Sequence, residues 1–492
     1  MQDVEPSYRQ NPTPADRYDL LVVGAGPSGL SAAIAAAARG VRVALIERNL
    51  PGGTCLNIGC VPSKAIIRTS RLYAEMRDAG CYGAQIPAGI GVNFPAVMER
   101  MRRIRARTVR PVSFHRLTAA GVDVFQGEAC FAGTDTLTVD GTKLCFEKAM
   151  IATGSRPEMP TIPGLVDADY LTNENVFNLT DLPRRLLVVG GGPLGCELAQ
   201  AFCRLGARTI IVQHFPLFLP KEERDAAQIL SAAFARDGIE VRLNTRPVNV
   251  HTEDGQMRVD LISDDYQSTV IVDRILAGVG RLPNVDGMGL EAAGVAYHPV
   301  HGIRVDDYLR TSNSRIYAAG DACLEHKFTH SADAAARIVV QNALFRGRQR
   351  LSALVIPWCT YTDPEIAHVG LYVRQAREQD LRVKTFTIPM HDVTRAIADS
   401  EEVGFVKIHV KEGTDRILGA TIVARHAGEM ISEITLAMVA GIGLRTLSRV
   451  IHAYPTQAEA IKQAADACSR THSKPTTRGF PWRWRAGWRK HE

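Results

Sequence analysis

The sequence has few aromatic residues for its length and lacks a dense framework of cysteines. Aromatic side chains make up 6% of the 492 residues, and ten cysteines are scattered along the chain. Such scattering does not suit the disulfide framework of a small secreted protein. With no secretory leader in sight, we expect a reducing, cytoplasmic compartment. A chain of 492 residues exceeds one hydrophobic core, so several domains are expected.

An excess of one charge is missing from most of the chain. The formal net charge is +6, but residues 470–492 hold seven lysines and arginines against one glutamate, so the remainder is neutral. A neutral body offers no surface for nucleic acid. The basic tail, residues 469–492, also carries Trp482, Trp484 and Trp488. This mixture suits contact with an anionic membrane surface, and a solvated extension without structure is the alternative.

One apolar stretch is long enough to be mistaken for a membrane span. It runs from Leu20 to Ala38, and Gly24, Gly26 and Gly29 interrupt it. The interruption falls where a strand would turn into a helix. We therefore interpret the stretch as a buried strand, turn and helix.

The chain contains one unit twice. Residues 19–48 and 185–214 align without a gap at a constant offset of 166. Each copy runs from an apolar strand through G-x-G-x-x-G into a helix and a second strand, which predicts two Rossmann-like dinucleotide-binding units. The helix N-terminus of each would face a pyrophosphate. The fingerprint glycines are Gly24, Gly26 and Gly29 in the first copy, and Gly190, Gly192 and Gly195 in the second.

The two copies differ at the end of the second strand. Glu47 closes the first copy, where a carboxylate can accept hydrogen bonds from a ribose. The second copy has Gln213 and His214 there and no acid, so nothing repels a 2′-phosphate, which His214 or Lys221 could meet. This favours NADPH over NADH, although an acid-free site can also accept NADH.

A pair of cysteines follows the first fingerprint. In a straight helix the Cα atoms of Cys55 and Cys60 would be about 7.5 Å apart, beyond the ~4.4–6.8 Å of a disulfide. A bridge therefore requires an irregular backbone. The residues that can supply it are Gly52, Gly53, Gly59 and Pro62. Such a pair beside a redox cofactor could relay two electrons as a disulfide that opens and closes, and two structural thiols are the alternative.

Several motifs in order make residues 17–468 resemble the FAD-dependent pyridine nucleotide–disulfide oxidoreductases, which include glutathione reductase, dihydrolipoamide dehydrogenase and mercuric reductase. Besides the two fingerprints, these motifs are GGTCLNIGCVPSK at 52–64, IATG at 151–154, GVGRLPN at 278–284, IYAAGD at 316–321, TYTDPE at 360–365 and YPT at 454–456.

The resemblance implies an α/β fold of three parts. An FAD-binding domain, residues 18–160 and 281–349, would be interrupted by an NAD(P)-binding domain, residues 161–280. An α+β dimerisation domain would follow over 350–468, with a strand at 405–410 and an apolar helix near 430–440. A loose arm over 1–17 would precede them. A homodimer is expected, in which each active site is completed by the partner.

The resemblance also implies roles for single residues. Cys55 would meet the substrate, Cys60 would lie nearest the flavin, and Lys64 and Glu197 would pair beside it. The residues expected to bind FAD are Gly24, Gly26, Gly29, Glu47, Thr54, Lys64, Thr153, Gly154 and Asp321. The residues expected to bind the nicotinamide nucleotide are Gly190, Gly192, Gly195 and Gly280.

The chain departs from the disulfide-reducing members near its C-terminus. These usually carry a histidine base followed five positions later by a glutamate. Here Tyr454 replaces the histidine, while Glu459 keeps the spacing. A phenol, with an ordinary pKa of about 10, is a poor base at neutral pH, whereas imidazole at about 6.5 is well matched. His452, two positions upstream, is a candidate replacement.

Mercuric reductase shares the tyrosine at 454 and a second active-site tyrosine, matched here by Tyr170. Soft thiolates suit Hg(II), so Cys55 and Cys60 are expected to bind it transiently, without a resident metal site. The vicinal cysteine pair that ends mercuric reductase is absent, and only Cys468 stands there.

We therefore predict an FAD-dependent NAD(P)H oxidoreductase, mercuric-reductase-like, that passes electrons to a small molecule or metal ion. The alternatives are dihydrolipoamide dehydrogenase-like disulfide chemistry, a quinone or transhydrogenase-type diaphorase, and a flavoprotein scaffold without catalysis. Peripheral contact with a membrane through residues 470–492 would be compatible with the cytoplasmic location.

Overall fold

A computed structural model describes residues 10–87, 89–253, 256–264 and 266–472 of the chain. Most of the basic tail lies outside the described residues. Within the predicted N-terminal arm, Asn11 exchanges two hydrogen bonds with the backbone of Gln126, at 2.9 and 2.8 Å. No helix in the described ranges combines the length and apolar character needed to cross a bilayer.

The first part of the chain builds a parallel sheet in the order β3-β2-β1-β6, with β4 and β5 as an antiparallel extension next to β6. The long apolar run forms a strand, a turn and a helix, as predicted: Leu20, Leu21 and Val22 are fully buried in β1. The elements are β1 (Tyr18–Val23), α1 (Pro27–Ala37), β2 (Val43–Glu47), α2 (Gly53–Ile58), α3 (Cys60–Asp78), α4 (Phe94–Val109), α5 (Phe114–Ala119), β3 (Val122–Gln126), β4 (Ala129–Gly133), β5 (Thr136–Val139), β6 (Thr142–Ile151) and β7 (Ser155–Pro157).

The second part repeats this pattern around a four-stranded parallel sheet in the order β10-β9-β8-β14. A separate antiparallel sheet, β11-β12-β13, is inserted before the last strand. The elements are β8 (Arg185–Val189), α6 (Pro193–Arg204), β9 (Arg208–Val212), α7 (Arg224–Asp237), β10 (Glu240–Arg242), β11 (Arg246–Glu253), β12 (Gln256–Ser263), β13 (Tyr266–Val272) and β14 (Arg274–Ala277).

The chain then returns to the first sheet. Strand β15 pairs with β7, and β18 adds to β6 in parallel. The first unit is therefore interrupted by the second, which confirms the predicted architecture. The elements are β15 (Arg281–Pro283), β16 (Tyr297–His298), β17 (Gly302–Ile303), β18 (Ile316–Ala318) and α8 (Thr329–Leu344).

The last part is an antiparallel sheet in the order β19-β20-β23-β22-β21, covered by helices. The strand predicted at 405–410 and the helix predicted near 430–440 are β22 and α11. The elements are β19 (Pro357–Thr360), β20 (Glu365–Gly370), α9 (Val373–Glu378), β21 (Val383–Pro389), α10 (Thr394–Ala398), β22 (Phe405–Lys411), β23 (Ile417–Ala424), α11 (Ala427–Val439), α12 (Leu444–Leu447) and α13 (Glu459–His472).

Helix α11 and the loop after α12 leave an apolar surface uncovered. Leu436 and Val439 are 66% and 65% exposed, and Ile451 is 95% exposed. A contiguous patch of exposed apolar side chains is typical of a surface that contacts another protein.

Candidate active site

The first fingerprint forms a cradle of backbone. A Cβ added to Gly29 would lie 1.8 Å from the carbonyl oxygen of Gly24, so only glycine lets α1 pack this close to β1. A Cβ added to Gly26 would meet only the Cα of Gly53, at 4.0 Å. No side chain caps the N-terminus of α1, so its N–H groups are left for a phosphate. These features fit the pyrophosphate of FAD.

Glu47 is fixed beside this cradle at the end of β2. Its Oε2 accepts a hydrogen bond from the Ala25 N–H at 2.7 Å, and its Oε1 accepts one from Asn49 at 2.8 Å. The carboxylate therefore has a set orientation. Its remaining lone pairs can accept hydrogen bonds from a ribose, as the sequence predicts.

The second fingerprint reproduces the first in detail. A Cβ added to Gly195 would lie 2.1 Å from the Gly190 oxygen, whereas one added to Gly192 would meet nothing within 4 Å. The Gly191 N–H donates to Oε1 of Gln213 at 3.0 Å, which repeats the contact between Ala25 and Glu47. The structure therefore brings Gly190, Gly192 and Gly195 together, with an amide where the first copy has a carboxylate.

Three more residues predicted to bind FAD lie where the chain leaves the first unit and where it returns to it. Thr153 donates to the Asn284 carbonyl at 2.7 Å, and the Asn284 N–H donates to the Gly154 carbonyl at 2.9 Å. Ser155 donates to Oδ2 of Asp321 at 2.6 Å. These contacts fix Thr153, Gly154 and Asp321 relative to one another, and Ser155 and Asn284 are partners that the sequence did not single out.

Gly280 and Arg281 lie between the two units. A Cβ on Gly280 would come within 2.4 Å of Glu158 Oε2, the end of a flexible side chain, so Glu158 would have to move. The Arg281 guanidinium donates to the side chain and the carbonyl of Ser155, both at 2.8 Å, and to Asn173 at 3.3 Å. Burial lowers the pKa of Arg281.

The predicted break in the backbone separates the two cysteines. Helix α2 contains Thr54 and Cys55, ends at Ile58, and is followed by Gly59 with φ −146° and ψ −110°. Helix α3 then starts at Cys60. A Cβ on Gly59 would lie 2.9 Å from the Thr54 oxygen, so the break depends on this glycine. Pro62, also expected to supply irregularity, lies inside the first turn of α3 instead.

The thiols of Cys55 and Cys60 are free and interact with each other. A hydrogen bond from Cys55 lowers the pKa of Cys60, and Thr329, whose hydroxyl is 3.6 Å from the Cys60 sulfur, and Lys64 act in the same direction. The same hydrogen bond, with burial, raises the pKa of Cys55. Cys60 is therefore favoured as the thiolate, and Cys55 keeps the proton.

Two backbone carbonyls exposed by the break receive side-chain donors. The Asn57 carbonyl accepts from Arg105 of α4 at 3.3 Å, and the Ile58 carbonyl accepts from Asn173 at 3.2 Å. Arg105 and Asn173 are distant in sequence from the cysteines, and no local signal marks them. They fix the segment that sets the spacing of the two thiols.

Lys64 and Glu197 meet as predicted. The Lys64 Nζ lies 2.7 Å from Glu197 Oε2, and the Glu197 side chain is 5% exposed. The second carboxylate oxygen accepts a hydrogen bond from the Tyr361 N–H at 2.9 Å. The Tyr361 ring centroid lies 4.5 Å from the same Lys64 Nζ, so a third residue, absent from the predicted site, belongs to this pair.

The C-terminal loop carries the other predicted residues. The Tyr454 side chain is 71% exposed, consistent with a residue that faces a partner subunit. Glu459 buries its Oε2 without a hydrogen-bond partner in the described part of the chain. The His452 Nε2 lies 3.0 Å from Glu433 of α11, so this candidate base is held against its own subunit.

Tyr170 is packed inside the second unit. It is 9% exposed, and its hydroxyl lies 2.7 Å from the sulfur of Met159. It belongs to the same buried apolar cluster as Leu187 and Val189 of β8, and burial raises its pKa. No contact with Cys55 or Cys60 is seen in the described structure, and its role at the thiols stays a prediction.

Within the described ranges, no group of three or more His, Cys, Asp or Glu side chains has the arrangement of a metal site. Cys55 and Cys60 remain as a pair of soft thiol ligands at the break between α2 and α3.

Comparison with known proteins agrees with this geometry. The chain is 34% identical over 450 residues to the mercuric reductase of Lysinibacillus sphaericus, covering 92% of this chain and 82% of that protein. It is 32% identical over 456 residues to the dihydrolipoyl dehydrogenase of Thermus scotoductus, covering 92% and 97%.

Among solved structures, the Cu(II) complex of the HOCl-induced flavoprotein disulfide reductase RclA from Escherichia coli superposes with a TM-score of 0.81. The sequence identity is 28%, over 90% of this chain and 98% of that one. Residues 18–337 match the pyridine nucleotide-disulphide oxidoreductase family, and residues 356–465 match its dimerisation domain. The chain belongs to the pyridine nucleotide-disulphide oxidoreductases, FAD-dependent enzymes that use NAD(P)H, as its duplicated fingerprint and paired thiols predict.

Proposed function

We propose that this oxidoreductase delivers electrons through Cys55 and Cys60 to a soft metal ion, with Hg(II) as the first candidate. The observation that carries the proposal is the identity of residue 454, a tyrosine where the disulfide-reducing members carry their histidine base. Tyr454 occupies the position of the base, and His452 is bound to Glu433 of its own subunit. The relatives named mercuric reductase support the same class of acceptor, and RclA, a flavoprotein disulfide reductase, forms a complex with Cu(II).

A metal acceptor needs less proton transfer than a disulfide acceptor. Cys60 already favours the thiolate, and Cys55 needs to lose one proton when a metal ion binds. Thiol–disulfide exchange requires in addition that a departing thiolate be protonated, which is the work of a nearby acid. The described part of the site holds the two soft ligands, Cys55 and Cys60, but no evident acid that could protonate a departing thiolate.

The cofactor sites follow the two units of the fold. We propose that residues 18–160 with 281–349 hold FAD and that residues 161–280 hold the nicotinamide nucleotide, with residues 350–468 as the dimerisation domain. Bound FAD supplies the two-electron chemistry between NAD(P)H and the thiols. Lys64, paired with Glu197, would place a positive charge beside it. The other residues proposed to hold FAD are Gly24, Gly26, Gly29, Glu47, Thr54, Thr153, Gly154 and Asp321.

We propose that the second unit binds both NADPH and NADH and prefers NADPH. Because Oε1 of Gln213 receives the Gly191 N–H, its amide nitrogen is left as a donor at the ribose end. A donor attracts a 2′-phosphate and also binds a 2′-hydroxyl, whereas a carboxylate would repel the phosphate. Gly190, Gly192, Gly195 and Gly280 would contact the rest of the nucleotide.

The experiment compares acceptors with the purified, FAD-loaded enzyme. NADPH oxidation is measured with Hg(II) in excess thiol, with lipoamide, with glutathione disulfide and with a quinone. We expect Hg(II) to be reduced fastest and the Cys60→Ala variant to lose this activity. Faster turnover of lipoamide would reject the metal acceptor, and an unchanged rate in Cys60→Ala would reject the thiol relay.

A disulfide acceptor is the second candidate. Glu459 keeps the spacing of the family's glutamate and has an unpaired oxygen, and a dihydrolipoyl dehydrogenase is among the relatives. The same acceptor panel separates this candidate from the first.

The match to the dimerisation domain supports a homodimer. We propose that the exposed apolar surface of α11 lies at its interface and that the partner's Tyr454 and Glu459 complete each site.

For residues 470–492, which lie almost wholly outside the described residues, we propose that they bring this cytoplasmic enzyme into contact with an anionic membrane surface. A chain ending at Thr471 should keep its flavin and its turnover but bind anionic vesicles less than the full chain does. Equal binding would reject the contact.

A further inference from the structure

We propose that Tyr361 is a positioning residue that holds the Lys64–Glu197 pair in the geometry the redox site requires. The inference rests on the proposed thiol relay and adds to it a residue from the last part of the chain. Tyr361 follows β19, whereas Lys64 lies on α3 and Glu197 on α6. The site is therefore assembled from all three parts of the fold.

Tyr361 contacts both members of the pair in different ways. Its backbone N–H donates to Glu197 Oε1 at 2.9 Å, which leaves Oε2 for the Lys64 ammonium at 2.7 Å. The face of its ring lies 4.5 Å from the same ammonium, within the ~6 Å range of a cation–π interaction. Lys64 is thus held between a carboxylate and an aromatic face.

A second layer of contacts fixes the segment that carries Tyr361. Arg204 lies two helical turns after Glu197 on α6 and pairs with Asp363 at 2.7 Å. Gln200 lies between Glu197 and Arg204 on the same helix. Its side-chain amide exchanges hydrogen bonds of 2.9 and 2.7 Å with the carbonyl and N–H of Asp363. Residues 361–363 are therefore anchored along α6, which explains why the ring has a defined place.

The ring matters because the Lys64 side chain is only partly enclosed. Its side chain is 34% exposed, whereas that of Glu197 is 5% exposed. Without the ring, the ammonium would have more freedom and more water around it, and its field at neighbouring groups would be screened more strongly. Cys60 is one such group, because the positive charge of Lys64 helps to lower its pKa.

The test compares Tyr361→Leu with Tyr361→Phe in the two-electron-reduced holoenzyme. The readout is the long-wavelength thiolate-to-flavin absorbance, followed as a function of pH. Leucine keeps the backbone N–H and removes the aromatic face, so we expect the apparent pKa of the Cys60 thiol to rise by about 0.5–1 unit. Phenylalanine keeps the face and should restore the wild-type titration.

Asp363→Asn serves as the matched control for loosening of the domain junction. It weakens the pair with Arg204 but keeps the two hydrogen bonds between Gln200 and the Asp363 backbone, which still hold the segment beside α6. The melting temperature should therefore fall while the thiolate titration stays close to that of wild type. A titration in Tyr361→Leu equal to that of wild type, or a shift in Tyr361→Phe as large as in Tyr361→Leu, would overturn the role of the ring.

Failure of the proposed function gives a different result. If the reduced wild-type enzyme shows no thiolate-to-flavin absorbance at any pH, the thiol relay is overturned before any variant is made. If wild type shows the absorbance and the leucine variant titrates identically, only the role of Tyr361 is overturned.

Discussion

The Gly191 N–H donates a hydrogen bond to Oε1 of Gln213 at 3.0 Å. In the first unit the equivalent bond goes to the carboxylate of Glu47. The side chains of Gln213 and Glu47 therefore have the same orientation in their units and differ in charge. This makes Gln213 the residue at which the choice of nucleotide can be changed with least disturbance of the backbone.

Gln213→Glu should turn the enzyme towards NADH. The new carboxylate can keep the Gly191 bond and accept from a ribose hydroxyl, but it repels a 2′-phosphate. We expect the ratio of kcat/KM for NADPH to that for NADH to fall about tenfold, equivalent to about 1.4 kcal/mol. Gln213→Met, similar in size and uncharged, should weaken binding of both nucleotides without this reversal. An unchanged ratio in the glutamate variant would place nucleotide selection elsewhere, with His214 and Lys221 as the next candidates.

Alanine substitutions at two glycines of the second fingerprint should harm the protein in different ways, one through stability and the other through nucleotide binding. In Gly195→Ala the added carbon would lie 2.1 Å from a backbone oxygen, so α6 must move away from β8. A loss of stability on the order of 3 kcal/mol is expected, seen as a lower melting temperature. In Gly192→Ala the carbon enters open space at the helix N-terminus. The fold should be kept, and the KM for NADPH should rise about tenfold because the pyrophosphate loses its close approach. Equal melting temperatures for the two variants would contradict this assignment.

The parts of the site that could be predicted are those written in local patterns. The glycine spacing of the fingerprints and the break at Gly59 follow from short stretches of sequence. So does Glu47, because it ends the second strand of the unit that the first fingerprint marks.

The parts that could not be predicted depend on contacts between distant segments. The Tyr361 N–H meets a residue 164 positions away, and Asn173 meets the Ile58 carbonyl 115 positions away. No periodicity encodes such pairs, because they depend on how the three parts pack. The resemblance to the family was sufficient to pair Lys64 with Glu197, but it did not identify the ring beside them.

Tyr454→His should give the enzyme disulfide reductase activity. An imidazole titrates near neutral pH, and Glu459 stands at the spacing that orients it in the family, with its Oε2 unpaired. A general acid–base group contributes roughly 10²–10⁴-fold, so we expect at least about a hundredfold rise in turnover of lipoamide or glutathione disulfide. Tyr454→Phe should show no such rise. If the histidine variant gains nothing, the loop does not reach the thiols of the partner, and Tyr454 has no place in the site.

The buried carboxyl of Glu365 should make stability depend on pH. Burial raises the pKa of Glu365 to about 7 although its Oε2 accepts a hydrogen bond from the Gly428 N–H at 3.0 Å and Arg71 lies 3.7 Å away. The folded protein therefore retains a proton that the unfolded chain has lost, and stability falls as pH rises from about 4.5 to about 7, by up to about 3 kcal/mol.

Glu365→Gln keeps an oxygen for the Gly428 N–H and cannot ionise, so the variant should lose less stability than wild type between pH 5 and pH 8. Melting temperatures at both pH values measure the difference. Glu378→Gln, at an exposed position of α9, is the control and should follow wild type. If Glu365→Gln shows the same pH dependence as wild type, the carboxyl is ionised in the folded protein at pH 5. The attraction of Arg71 would then outweigh the cost of burial at this junction.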